Sequence, residues 1–290
     1  MNQRAHITPC FRVELPEPLP VEAMMRGRAP QEVAELLPRL FNLCRHAQGA
    51  AARMALGLGA PDLAALAREI RAEHRLRLTL FLPRALGLTP LALPHDVPDR
   101  ALFGGRSFPT SGAELTEFLE SGQGLAPVLS ALAARFAPGE GVAPGLPGVT
   151  ADSALKASAQ ENSAAARHAG HAAMRHIEAT YGRGPLWRIV GRMIDMEAAG
   201  RGILPAPRMI GPGTAMVPSA RGVYTLLAEV DAGRVAALKR VTPTDHMLAP
   251  GGVLAQSLGS LGTAGHATAE LLLAVLDPCV PLTLREVQDA

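Results

Sequence analysis

"DPCVPLTLREV", residues 277–287, reads as one half of a two-thiolate metal motif. Proline cannot continue a helix, so Asp277-Pro278 fixes the direction in which the chain leaves one and presents Cys279 at a defined exit point. Three places on, where a second cysteine would complete the pair, the chain has Leu282. Half a motif directs attention to the remaining cysteines, Cys10 and Cys44. Three widely spaced cysteines do not suit a disulfide framework, and reduced thiols are the expectation. Cys10 belongs to no motif and reads as a structural cysteine.

Cys44 stands in "RLFNLCRHAQ", residues 39–48, where Pro38 is expected to break a helical pattern that starts at Pro30. A second helix starting near Arg39 puts Cys44 close to a helix start, where unpaired N–H groups and the dipole favour a thiolate. The small-residue face that comes next, "AQGAAARMA", permits close approach of another segment. Spacing along the sequence does not say whether Cys44 and Cys279 meet.

The rest of the chain sets the frame for this pair. With 48% hydrophobic and 19% charged residues, the 290-residue chain suits a soluble, core-forming protein. Aromatic residues are only 3%, so the core is expected to rest on aliphatic contacts, mostly between helices. A net charge of +2 without a basic block gives no reason to expect nucleic acid. The richest apolar run, "LLLAVL" at 271–276, is bounded by Glu270 and Asp277, far short of the ~20 residues that cross a bilayer. The first twenty residues lack the apolar core of a secretory signal. No membrane span and a cytoplasmic location are the expectations.

Periodicity and turn chemistry predict a mainly α fold with a small β portion (α+β), as a single domain over 1–290. A strand in "HITPCFRVEL" precedes the helices. Pro61-Asp62 opens a helix over 61–78, and Ser111-Gly-Ala-Glu114 is a capping pattern for another, continued at 125–136. "APGEGVAPGLPGV" at 137–149 is an internal linker too rich in glycine and proline for helix. Asp152 is read as the cap of a long alanine-rich helix reaching Tyr181, and His168, His171 and His176 as a polar stripe on it. Residues 201–219 read as loop. Two Val- and Leu-rich runs around Asp231-Ala232-Gly233 read as a hairpin, and 266–276 as the last helix.

With these pieces in place the sequence resembles the large subunit of nickel–iron hydrogenases, and more closely its shortened relatives, the HupK-type expression and maturation proteins. That family writes its C-terminal pair DPCxxCxxH or DPCxxCxxR, and "DPCVPLTLR" keeps Asp277, Pro278, Cys279 and Arg285. It writes its N-terminal pair RxCxxCxxxH. Here Arg39 and Cys44 remain, while Phe41 and Gln48 replace the first cysteine and the histidine. Arg12 and Glu14 resemble part of RxEGH, with Leu15-Pro16 in place of Gly-His; as residues they read as solvent-facing strand charges. "ARGVYTLLAEVDAGRVAALKRVTPTD" resembles the hairpin segment, and His246 stands where the family has tryptophan.

The resemblance covers both chain ends and little of the middle, in a chain much shorter than a catalytic subunit. It implies a reduced large-subunit-like fold, with Cys44 and Cys279 as metal ligands and Arg221 and Thr244 as donors to cyanide. A nickel–iron centre needs four thiolates, and leucine and phenylalanine cannot supply two of them. The implied role is therefore a non-catalytic scaffold in hydrogenase maturation. It would hold or transfer an iron carrying cyanide and carbon monoxide, with other maturation proteins and the large-subunit precursor as partners. The alternative is a metal-free, chaperone-like interaction protein. The five residues after Arg285 look too few for a processed extension.

Overall fold

In the computed structural model, which describes residues 10–40, 43–91, 98–262 and 265–287, the chain opens with strand β1 (Cys10–Glu14) and helix α1 (Val21–Met25). Helices α2 (Pro30–Leu40) and α3 (Arg45–Ala55) come next. Pro38 sits inside α2 rather than breaking it, and the helix ends two residues later. Its ring lies against Gly49 of α3, and neighbouring Leu37 is fully buried, so packing offsets the lost N–H. Phe41 and the strand candidate before Cys10 lie outside the described residues.

Helix α4 (Leu63–Leu76) is capped by Asp62, whose carboxylate accepts the Ala65 N–H at 2.9 Å. It runs on through a π-helical stretch, Arg77–Phe81, into α5 (Leu82–Ala85), so it continues beyond residue 78. Ser111 caps α6 (Gly112–Glu120) as its sequence predicts, although the Glu114 carboxylate turns to Thr110 rather than closing the box. Helix α7 (Ala126–Ala133) leads into 137–149, which forms no helix or strand and packs through Gly141 against Pro185 and Leu272.

The long helix expected from Asp152 to Tyr181 does not form; only its end, α8 (Ala172–Tyr181), is α-helical. Side chains in 150–163 capture the backbone instead. Gln160 Nε2 donates to the carbonyls of Ser153 and Lys156, and Ser163 Oγ accepts the Ala166 N–H. Such local bonds compete with the helical ladder, and here they override alanine's propensity. The three histidines consequently share no stripe. His168 ends a 3₁₀ turn, His171 caps α8, and His176 lies on α8 beside Thr116.

Helix α9 (Pro185–Gly200) is buried on nearly every side. Residues 201–219 contain two strands that the glycines and prolines hide, β2 (Arg208–Gly211) and β3 (Thr214–Ser219). They join β4 (Gly222–Asp231) and β5 (Arg234–Val241) in an antiparallel sheet of order β2-β3-β4-β5. The β4–β5 turn places both Ala232 and Gly233 at positive φ, as a two-residue hairpin requires. Helices α10 (Pro243–Leu248), α11 (Val253–Gly259) and α12 (His266–Leu276) complete the core, and β6 (Thr283–Val287) returns to pair with β1. The β portion is thus a four-stranded sheet and a ribbon joining the two ends of the described chain. One hydrophobic cluster gathers α5 to α12, and the other packs α1 to α4 against the sheet.

Candidate functional site

Helix α12 ends at Asp277, whose left-handed backbone (φ 55°) turns the chain while its N–H bonds the Leu273 carbonyl at 2.8 Å. Aspartate tolerates this conformation better than most residues. The turn buries the carboxylate, which is 4% exposed. Arg221, in the two-residue turn between β3 and β4, donates from Nε to the Asp277 carbonyl at 3.0 Å and from Nη2 to Oδ1 at 3.2 Å. Arg77 reaches the same Oδ1 at 2.8 Å, and Arg192 of α9 reaches Oδ2 at 3.2 Å. Three guanidinium groups therefore converge on one carboxylate.

The turn that carries Arg221 is itself clamped. Asn162 accepts the Val223 N–H at 2.6 Å, donates to the Val223 carbonyl at 2.9 Å, and meets His246 Nδ1 at 2.9 Å. His246 Nε2 in turn reaches the Lys156 carbonyl at 2.9 Å, which assigns it the Nε2–H tautomer. Gly222 has φ 147°, and a Cβ there would lie 2.4 Å from Asn162 Oδ1, so only glycine admits the clamp. His246 thus serves as a buried hydrogen-bonding post.

Cys44 immediately precedes α3 with a left-handed backbone (φ 56°), and its side chain makes no capping bond. Glu69 of α4 caps that helix instead, accepting the N–H groups of His46 at 2.8 Å and Ala47 at 3.2 Å. The Cys44 Sγ is left to accept from Arg221 Nη1 at 3.5 Å. Its thiol is not the acidified one expected of a helix start. Burial pushes its pKa up, Arg221 pulls it back only in part, and Glu69 and Cys279 add to the rise. Arg221 keeps its charge despite burial, because Asp277, Cys44 and Glu73 raise its basicity further.

Cys279 lies two residues beyond Asp277, half-exposed, and its N–H donates to Thr244 Oγ1 at 2.9 Å. Thr244 is fixed in α10, which Thr242 and Asp245 start with a reciprocal capping box. Since its oxygen accepts from Cys279, the Thr244 hydroxyl retains a proton to donate. Contacts thus join Cys44 to Arg221 and Arg221 to Asp277, and Cys279, two residues further along the chain, to Thr244. Leu282 is half-buried against the larger cluster, and buried Gln48 donates to the Leu43 carbonyl. Among the described residues no group of three or more His, Cys, Asp or Glu is placed to hold a metal ion. Arg12 and Glu14 are exposed, as read from the sequence, and Glu14 pairs with Arg285 of β6 at 2.8 Å.

Sequence reasoning missed Arg77 and Arg192, and with them a second buried network between α4 and α9. Arg188, Arg192 and Asp195 recur at helical spacing on the otherwise apolar α9, and that was the available signal. Asp195 accepts from His74 and His168, each at 2.8 Å, with Arg167 at 3.5 Å. Burial works to raise its pKa, but Arg167 and the two histidines hold the carboxyl far below the usual range. Burial outweighs Asp195 at His74 and keeps that imidazole neutral; it also lowers His246.

Known proteins fall into two levels of likeness to this architecture. The [NiFeSe] hydrogenase of Desulfovibrio vulgaris Hildenborough in its as-isolated oxidized state aligns with TM-score 0.57 and 13% identity over 94% of this chain and 96% of that one. A reduced, active Ni-Fe-Se hydrogenase from Desulfomicrobium baculatum aligns with TM-score 0.54 and 12% identity, over 94% and 97%. The fold is that of the nickel–iron hydrogenase large subunit. Within that class, the chain belongs to the HupK family of hydrogenase expression/formation proteins. It is 49% identical over 281 residues to the hydrogenase expression/formation protein HupK of Rhodobacter capsulatus, covering 95% of this chain and 92% of the relative. No protein-family model matches the sequence.

The polar contacts differ widely in their weight for stability. Asp277→Asn leaves three buried or half-buried guanidinium groups around a neutral side chain and is expected to cost about 3–5 kcal/mol in urea unfolding. Glu14→Gln, which breaks only the exposed pair with Arg285, changes the midpoint little. For pH, the folded pKa values of His74 and His246 lie below the unfolded value of about 6.5, so the unfolded chain takes up protons first. Stability is therefore full above about pH 6.5 and falls on acidification below it. His246→Gln should flatten that slope in urea titrations between about pH 7 and 5.

Proposed function

We propose that this chain is a non-catalytic assembly factor in nickel–iron hydrogenase maturation that holds or passes on an iron–cyanide–carbonyl unit through Cys44 and Cys279. The observation that carries the reading is Arg221, which touches Cys44 Sγ at 3.5 Å and the Asp277 carbonyl at 3.0 Å and so ties both half-motifs to one guanidinium. The name of the Rhodobacter capsulatus relative, a hydrogenase expression/formation protein, supports the process. Its partners are then other maturation proteins and the large-subunit precursor, in the cytoplasm.

The chemistry of such a holder is set by its donors. The cargo is iron with cyanide and carbon monoxide ligands, and soft thiolates suit it. Binding requires each thiol to give up its proton, and the raised pKa of Cys44 makes reprotonation a ready competitor of the metal. Weak retention is what a carrier needs. An uncommitted N–H on Arg221 Nη1 and the Thr244 hydroxyl supply charge-assisted hydrogen bonds to anionic cyanide nitrogens. With Leu282 and Phe41 in place of the other two cysteines, the family's four-thiolate nickel site has no ligand set, and hydrogen turnover is not part of the proposal.

A second reading, a metal-free interaction protein, is favoured by the absence of a three-ligand group among the described residues. Anaerobic co-purification with maturation proteins, followed by infrared spectroscopy, separates the two. Holding the cargo predicts cyanide and carbonyl stretching bands that disappear in the Cys44→Ser/Cys279→Ser double variant. Absence of the bands, with hydrogenase maturation unaffected in cells carrying the folded double variant, rejects cargo holding and leaves the interaction reading.

A further inference from the structure

Behind the Arg221 turn lies a cavity of about 20 Å³, room for one guest of water size or slightly larger. Its lining combines apolar Met247, Val253 and Leu276 with the buried side chains of Arg188, Arg192 and Arg221 and the Glu161 carboxylate that pairs with Arg188. Cys44 and Cys279 do not line it, so the cavity is distinct from the thiol pair and shares with it only Arg221.

The charges around this cavity do not balance. Arg188 is matched by Glu161 through two hydrogen bonds, at 2.8 and 3.1 Å, yet its Nε–H is buried without a partner. Arg192, Arg221 and Arg77 share the single Asp277 carboxylate. Glu73 lies 3.7 Å from Arg221 and is partly solvated. Even counting Glu73 in full, four guanidinium groups face three carboxylates. A buried charge without a counter-charge is costly, and an unpartnered buried donor adds to that cost.

We infer that this cavity binds a small monovalent inorganic anion, of the size of chloride or bromide, on Arg188, Arg192 and Arg221. The surplus of one positive charge sets the valence, and guanidinium groups beside apolar side chains suit a weakly hydrated ion. The anion completes the polar core from which Arg221 extends.

Crystals of the full-length chain grown with bromide as the halide, measured at the bromine absorption edge, test this. The expected result is an anomalous peak inside the cavity within hydrogen-bond distance of these guanidinium groups. Bromide confined to the outer surface, or only water in the cavity, overturns the inference. In solution, replacing gluconate by chloride at constant ionic strength should raise the wild-type thermal midpoint and saturate. That shift should be lost in Arg192→Met, which removes the surplus charge while Arg77 and Arg221 remain on Asp277. A wild-type midpoint indifferent to chloride would count against the site.

Discussion

A carboxylate buried as deeply as Asp277 must be matched by charge and hydrogen bonds, and the way this chain matches it organises both halves of the fold. Arg77 comes from the end of α4, Arg192 from α9, and Arg221 from the β3–β4 turn, so three separate elements are obliged to meet at the end of α12. Neither half-motif needs to seek the other directly. Arg221 contacts Cys44 at one end of its guanidinium and Asp277 at the other, which brings the N-terminal and C-terminal cysteine segments to a common neighbour.

The supporting network explains why this arrangement is held rather than sampled. Helices α4 and α9 share a polar seam in which His74 and Asp195 are both fully buried and hydrogen-bonded. Asn162 and His246 clamp the Arg221 turn from the other side, at a glycine that leaves no space for a side chain. Glu69 takes over the capping of α3 and so leaves the Cys44 sulfur for Arg221. The Cys44 sulfur is thereby positioned by polar contacts to its neighbours, while burial raises its pKa.

Much of this was legible in the sequence because it depends on local chemistry. Asp62 and Ser111 cap the helices they were expected to cap, and glycine at 233 marks the hairpin. The Asp277-Pro278-Cys279 exit comes directly after α12, as its proline implies. The misses share a cause: tertiary partners overrode local preference. Residues 150–163 look helical by alanine content but spend their Ser, Gln and Asn side chains on the backbone. Strand β3 gains its order from pairing with β4, and β2 from pairing with β3, which no local pattern announces. Whether Cys44 is acidic depends on burial against Glu69 and Arg221, distant in sequence, and the helix start alone pointed the wrong way. Arg77 and Arg192 carry no motif and become visible only where their helices converge.

The proposed holding role requires Cys44 and Cys279, far apart in sequence, to face one site. Bridging by a short bifunctional thiol reagent such as dibromobimane tests it most directly, using a Cys10→Ser background so that only Cys44 and Cys279 can react. Native protein should form an intramolecular link joining peptides that contain Cys44 and Cys279, and denaturation before labelling should abolish it. Single adducts on each cysteine without a link, from folded protein, would contradict it.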